Sequence, residues 1–189
     1  FHDTATTEIY TLSLHDALPI FIPEFNLIKD SDLKEKVLKV WDIALAAGGW
    51  EVSDLQRMPF TLLIEPCPCN MIEHIRGVVN VSMNAAEALQ SIYEDKVKIN
   101  EDYLVAGALL HDIGKLVEYK EENEKFIQSN LGRLVRHPIS GVGLCYSQGI
   151  PEEVMHIIAS HSWEGDRSKR TPEAIIVHHA DFTNFEQFK

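Results

Sequence analysis

Ala108-Leu109-Leu110-His111-Asp112-Ile113-Gly114-Lys115 sets an imidazole beside a carboxylate at the end of an apolar run. Both groups are costly to bury unless they are paired or bound to a metal ion. Adjacent helical residues do not face each other, so both reach one ion only where the helix stops. Gly114 is expected to provide that stop by taking the left-handed conformation that closes helices. On this reading His111 and Asp112 are two metal ligands on a rigid, dry wall.

Further donors follow at the scale of one helix plus one loop. His74, the His111-Asp112 pair, His137, His161 and Asp181 are separated by intervals of 20 to 37 residues. Neighbouring helices can therefore bring all six to one pocket. A mixed imidazole and carboxylate set suits Mn, Fe, Co, Ni or Zn better than Ca or Mg. Six donors exceed the needs of one four-coordinate ion, which points to two.

This ordered set resembles the HD-domain superfamily of metal-dependent phosphohydrolases, of the HDIG type. The defining His, His-Asp and distant Asp fall on His74, His111-Asp112 and Asp181, and the two-metal subgroup's extra histidines on His137 and His161. The resemblance implies hydrolysis of a nucleotide or short-RNA phosphomonoester or phosphodiester by metal-activated water. Asp112 is then the bridging ligand that steers the water, and Lys115 the group that touches the phosphate. Two rivals stand beside it. A cyclic-dinucleotide phosphodiesterase of the HD-GYP kind carries a Gly-Tyr-Pro element that Trp163-Glu164-Gly165-Asp166-Arg167 lacks. A non-catalytic HD signalling or binding module typically loses ligands, whereas this chain keeps the whole set.

Other polar residues have plainer readings. His178 shares a helical face with Asp181 and is a candidate for supporting a ligand or for meeting phosphate. Arg133 and Arg136 are candidates for the mouth of a phosphate pocket, though such arginines are usually just solvated. His156 and His179 read as structural. Trp163 is two residues past His161 and could stack on a base, but packing is the first reading for it and for Trp41 and Trp50.

The elements that position these donors are helical. Leu33, Val37, Val40, Trp41, Ala44 and Leu45 form one stripe, stopped by Gly48-Gly49. Asn70 caps a helix to about Tyr93 that carries His74, and Asn100 caps the helix leading into His111. Pro138 opens a helix that ends at Gly149, Glu152-Glu153 begin another, and Thr171 caps the last. The run from Pro59 to Ile64 is too short to type, and a hairpin over Tyr119 to Gln128 is the one strand signal. The expected fold is all-α, an HD-type bundle with its metal site between helices.

Bulk properties agree with one core. The 189 residues are 45% hydrophobic and 24% charged, as in ordinary globular domains. The net charge of −12 argues mildly against gripping a long nucleic acid by its backbone. No apolar run approaches a membrane span. Cys67, Cys69 and Cys145 read as reduced thiols in a cytoplasmic protein that acts on a small phosphorylated substrate. Asp3 to Ile20 resembles the in-frame translation of a short-read sequencing adapter. Residues 1–20 are therefore expected to be an artefactual, disordered extension. Residues 21–69 would form an N-terminal helical segment packed on the core, and 70–189 the HD domain.

Overall fold

The computed structural model describes residues 14–189. Its helices are α1 (Leu14–Phe21), α2 (Ser31–Gly48), α3 (Met71–Tyr93), α4 (Glu101–Leu110) and α5 (Lys115–Glu118). After a hairpin of β1 (Tyr119–Glu122) and β2 (Lys125–Gln128) come α6 (Asn130–Leu134), α7 (His137–Tyr146), α8 (Glu152–Ser160) and α9 (Pro172–Glu186). The hairpin is antiparallel, with Tyr119 opposite Gln128.

The helix ends obey the expected capping chemistry. Asn70 accepts from the Glu73 amide while Glu73 returns a carboxylate to the Asn70 amide, which satisfies two donors at the start of α3. Asn100 and Thr171 cap α4 and α9 through their side-chain oxygens. Gly49 and Gly149 have φ of +75° and +64°, the left-handed geometry that glycine adopts without steric penalty.

Helix α4 is the centre. Leu104 through Leu110 are all buried, so this helix has no polar face. Helices α3, α8, α9 and α2 pack around it. Gly107 lets α8 approach, because a methyl group there would stand 2.5 Å from the Ile157 Cδ1 atom. Burying side chains such as Trp41, Phe25, Leu104 and Leu109 contributes about 1.5–3 kcal/mol each. The tryptophans Trp41 and Trp50 are packing residues, and the Trp50 indole donates to the Leu116 carbonyl at 2.7 Å.

Two expectations need correction. Setting residues 14–20 apart from the fold finds no support: α1 buries Ala17 and Leu18 against the core beside Ile22. Apolar burial, not chain position, decides what joins a core. The rest of the proposed extension, 1–13, lies outside the described residues. Gly114 does not close a helix in the left-handed conformation; its φ is −64°. What needs glycine there is proximity, since a methyl group would collide with the His137 carbonyl and stand 2.6 Å from Ser140 Oγ. Among the described residues no helix is long and apolar enough to cross a membrane.

Candidate metal centre

Helix α4 ends at Leu110, and His111 to Gly114 form a turn before α5. That break lets the adjacent side chains of His111 and Asp112 face one point, as the sequence requires. Helix α3 brings His74, the first residue of α7 is His137, His161 follows α8, and α9 carries Asp181. His111, Asp112, His137 and His161 are buried, as is His74.

Asp112 divides the donors into two groups. Its Oδ2 lies 3.2 Å from His74 Nε2 and 3.3 Å from His111 Nε2. Asp181 Oδ1 joins this group at 3.2 Å from His74 Nε2 and 3.9 Å from His111 Nε2. The other oxygen, Oδ1, lies 3.3 Å from His137 Nε2 and 3.7 Å from His161 Nε2. His74, His111 and Asp112 form one set that could hold an ion, and Asp112, His137 and His161 another. Donor atoms bound at about 2.1 Å to one ion are spaced by about 3.0–3.4 Å in octahedral or tetrahedral shells; the 3.2 and 3.3 Å separations fall in that range, and the 3.7 and 3.9 Å ones are wider.

Tautomers make the case for cations. His111 Nδ1 lies 2.7 Å from the Ala108 carbonyl, and His161 Nδ1 lies 2.7 Å from the Ile158 carbonyl. His137 Nδ1 faces Glu118 Oε2 at 3.2 Å. Carbonyl and carboxylate oxygens only accept, so each Nδ1 holds the proton and each neutral ring presents a bare Nε2. Two such lone pairs meet in His137 and His161, whose Nε2 atoms are 3.3 Å apart. Facing lone pairs repel unless a cation lies between them. The donor set fits divalent transition ions.

Charge in the centre follows the same logic. Burial alone would raise the Asp112 carboxyl, but the Lys115 ammonium beside it holds it well below the usual carboxylate range. Burial would likewise raise Asp181, and the hydrogen bond from His74 takes it down to about 2. Burial pushes His137 down to about 4, against the pull of Glu118. Burial opposes charge on His74 too, yet Asp112 and Asp181 raise it. Burial drives Lys115 down, but Asp112, Tyr119 and Asp181 together raise it above the ordinary lysine range. Its Nζ donates to Asp112 Oδ2 at 2.6 Å and to the Phe60 carbonyl at 2.8 Å.

A cavity of about 480 Å³ opens over this centre, with Asp112, Lys115, His137 and Asp181 in its lining. Arg136 also lines it but is engaged with Glu118 at 3.2 Å and Glu164 at 3.1 Å. Arg133 stands apart, exposed and bonded to Asn130, because α6 turns it away from the centre. His178 does not line the cavity; its Nδ1 lies 2.6 Å from the His161 carbonyl, so it braces the backbone of His161. His156 is structural, accepting from the Thr171 amide at 3.4 Å.

Sequence reasoning missed two contributors and ranked a third by its less apt reading. Glu118 backs His137; the available signal was an acid inside the apolar stretch Ile113 to Tyr119. Phe60 stacks on the His74 ring with centroids 4.5 Å apart, and it lies in the run that could not be typed. Trp163, read first as packing with base stacking as the alternative, is 62% exposed on the cavity lining, so it is not a core packing residue.

The chain is similar to known proteins over part of its length. The chain is 39% identical over 115 residues to the dihydroneopterin 2',3'-cyclic phosphate phosphodiesterase of Methanocaldococcus jannaschii, covering 59% of this chain and 44% of that protein. It is 31% identical over 106 residues to Ribonuclease Y of Thermotoga petrophila, covering 56% of this chain and 18% of that one. With Ribonuclease Y of Desulforamulus reducens it shares 40% identity over 75 residues, covering 40% of this chain and 12% of the other. The chain thus spans less than half the length of these curated relatives. No solved structure matches it. The HD domain matches residues 71–183, a stretch that begins with the helix of His74 and ends just beyond Asp181, and with the donors gathered there the chain belongs to the HD-domain family.

Proposed function

We propose that this protein is a two-metal phosphohydrolase that cleaves a phosphodiester or phosphomonoester of a nucleotide or short RNA. One observation carries the reading: each oxygen of the Asp112 carboxylate faces a separate histidine group. His74, His111 and Asp181 would hold one divalent ion, His137 and His161 the other, with Asp112 shared. Such a pair lowers the pKa of water and neutralises charge on the phosphoryl oxygens.

The chain's own groups do the rest. Asp112 is the one buried carboxylate common to both groups, so it orients whatever lies between them. Lys115 has three N–H donors and spends two on Asp112 and the Phe60 carbonyl. The third is left for a phosphoryl oxygen entering the cavity, where a fixed cation stabilises developing charge. Phe60, Tyr119 and Leu116 keep this floor dry.

The cavity is large enough for more than a phosphoryl group, since ligand pockets of about 300–1,000 Å³ hold drug-sized molecules. Leu63 and Trp163, 78% and 62% exposed, bring apolar surface to it. That wall suits a planar heterocycle, the part shared by a pterin cyclic phosphate and RNA, which the relatives' names give as their substrates. Hydrolysis of bis-p-nitrophenyl phosphate and of 2',3'-cyclic nucleotides, with Mn or Ni added and with chelator, tests the proposal. We expect metal-dependent turnover that disappears in Asp112→Ala. Full activity in that variant overturns the mechanism, and ions bound without turnover of any phosphoester would favour a binding module.

A further inference from the structure

Glu118 closes α5 and is only 3% exposed, although it is not among the donors that converge on Asp112. Four donors meet its carboxylate. Oε2 accepts from the His137 backbone amide at 2.8 Å and faces the His137 ring Nδ1 at 3.2 Å. Oε1 accepts from Arg136 at 3.2 Å and from the Gln128 side chain at 3.3 Å. Gly132 packs against it so closely that a methyl group there would stand 2.6 Å from Glu118 Cγ. The side chain is therefore held from every side.

The four histidines of the centre are not backed alike. His111 and His161 lean on main-chain carbonyls, which are neutral. His74 has a buried Nδ1 with no hydrogen-bond partner. His137 alone is backed by a carboxylate. An anionic acceptor at Nδ1 fixes the proton there, leaves Nε2 bare and makes it a stronger donor to a metal.

We propose that Glu118 is the positioning residue that sets the affinity of the second ion, the one addressed by Asp112 Oδ1, His137 and His161. The inference rests on the two-ion reading above. It makes the two ion positions unequal: the His74, His111 and Asp181 position stands without Glu118, and the other does not. It also explains the buried charge. Glu118 would be a poor choice for simple packing, because its desolvation must be offset by several fixed donors. Those donors include Arg136 and Gln128, which also line the cavity.

Stoichiometric Mn titration with elemental analysis under anaerobic conditions tests this on the full chain, using Glu118→Gln and Gly132→Ala. Glutamine keeps the shape but presents one acceptor oxygen to four donors, and the alanine methyl displaces Glu118 through its main-chain carbonyl and Cγ, the atoms nearest to it. We expect two ions in the unsubstituted protein. Each variant should keep the first at undiminished affinity and bind the second about 10–100-fold more weakly. Retention of both ions at full affinity overturns the proposal. So does equal weakening of both, which is the signature of a merely structural residue. An unsubstituted protein that binds fewer than two ions refutes the two-ion reading itself, and this is seen before any substitution. If neither variant folds, ring ¹⁵N shifts of His137 in the Zn-loaded parent protein decide: a protonated Nδ1 and a metal-shifted Nε2 are expected, and the opposite tautomer overturns the assignment.

Discussion

Lys115→Met separates the two jobs that Lys115 is given. Methionine keeps most of the volume and removes the ammonium. In metal-free protein the Asp112 carboxylate, with a side chain 1% exposed, then loses its partner at 2.6 Å. Removing one member of a buried ion pair costs about 3–5 kcal/mol. For a chain of this size about 1 kcal/mol moves the melting temperature by about 2–4 °C, so metal-free protein should melt about 6–20 °C lower. With Mn bound, the ions supply the charge compensation. What is lost then is the hydrogen bond to the Phe60 carbonyl, about 0.5–1.5 kcal/mol, and Tyr119 still donates to that carbonyl at 3.4 Å. The expected drop shrinks to about 1–6 °C. Activity should still fall by about 10²–10³-fold through kcat, as when one donor to a developing oxyanion is removed. Thermal melts with chelator and with saturating Mn, alongside steady-state kinetics, read both effects. An equal loss of melting temperature in the two conditions would refute the charge-compensation argument, and an unchanged kcat would refute the contact to phosphate.

Further outcomes follow from the same geometry. Burial holds His137 at about 4 against an ordinary 6.5, so the unfolded chain binds its proton first and metal-free stability should fall as pH drops from about 6.5 to about 4. His74, raised by Asp112 and Asp181, works in the opposite direction; the difference between parent and His137→Asn melts across that window isolates the His137 part, and identical pH profiles would contradict it. Gly114→Ala would drive a methyl group into the start of α7 beside Ser140 and the Gly141 amide. We expect about 1–3 kcal/mol of destabilisation in urea melts together with weaker binding of the second ion, and wild-type values for both would show that close approach is not why glycine is there. Trp163→Ala should raise KM for 2',3'-cyclic nucleotides about tenfold with kcat nearly unchanged, consistent with about 1–3 kcal/mol for base stacking. A fall in kcat alone would place Trp163 elsewhere in the reaction.

The legible parts of the sequence were those where one residue type has one physical use. Asn70, Asn100 and Thr171 announced helix starts because their short polar side chains satisfy free amides there. The six donors were legible because imidazoles and carboxylates in apolar surroundings need partners, and the fold brings all six together. Glu118 and Phe60 were not legible: what matters about them is the ring each one backs, a contact between segments 19 and 14 residues apart with no local periodicity to reveal it. Gly114 was misread because a steric requirement set by α7 and a conformational one look alike in one dimension. Helix α1 was misjudged because resemblance outside the fold was weighed above its own apolar residues, Ala17 and Leu18.

The shared carboxylate is tested most directly by counting ions per chain in protein purified anaerobically with Mn, before and after Asp112→Ala. We predict two in the parent and a loss at both positions in the variant, since each Asp112 oxygen serves one of them. Two ions retained in Asp112→Ala, or a parent that never holds more than one, would contradict a pair of metals built around Asp112.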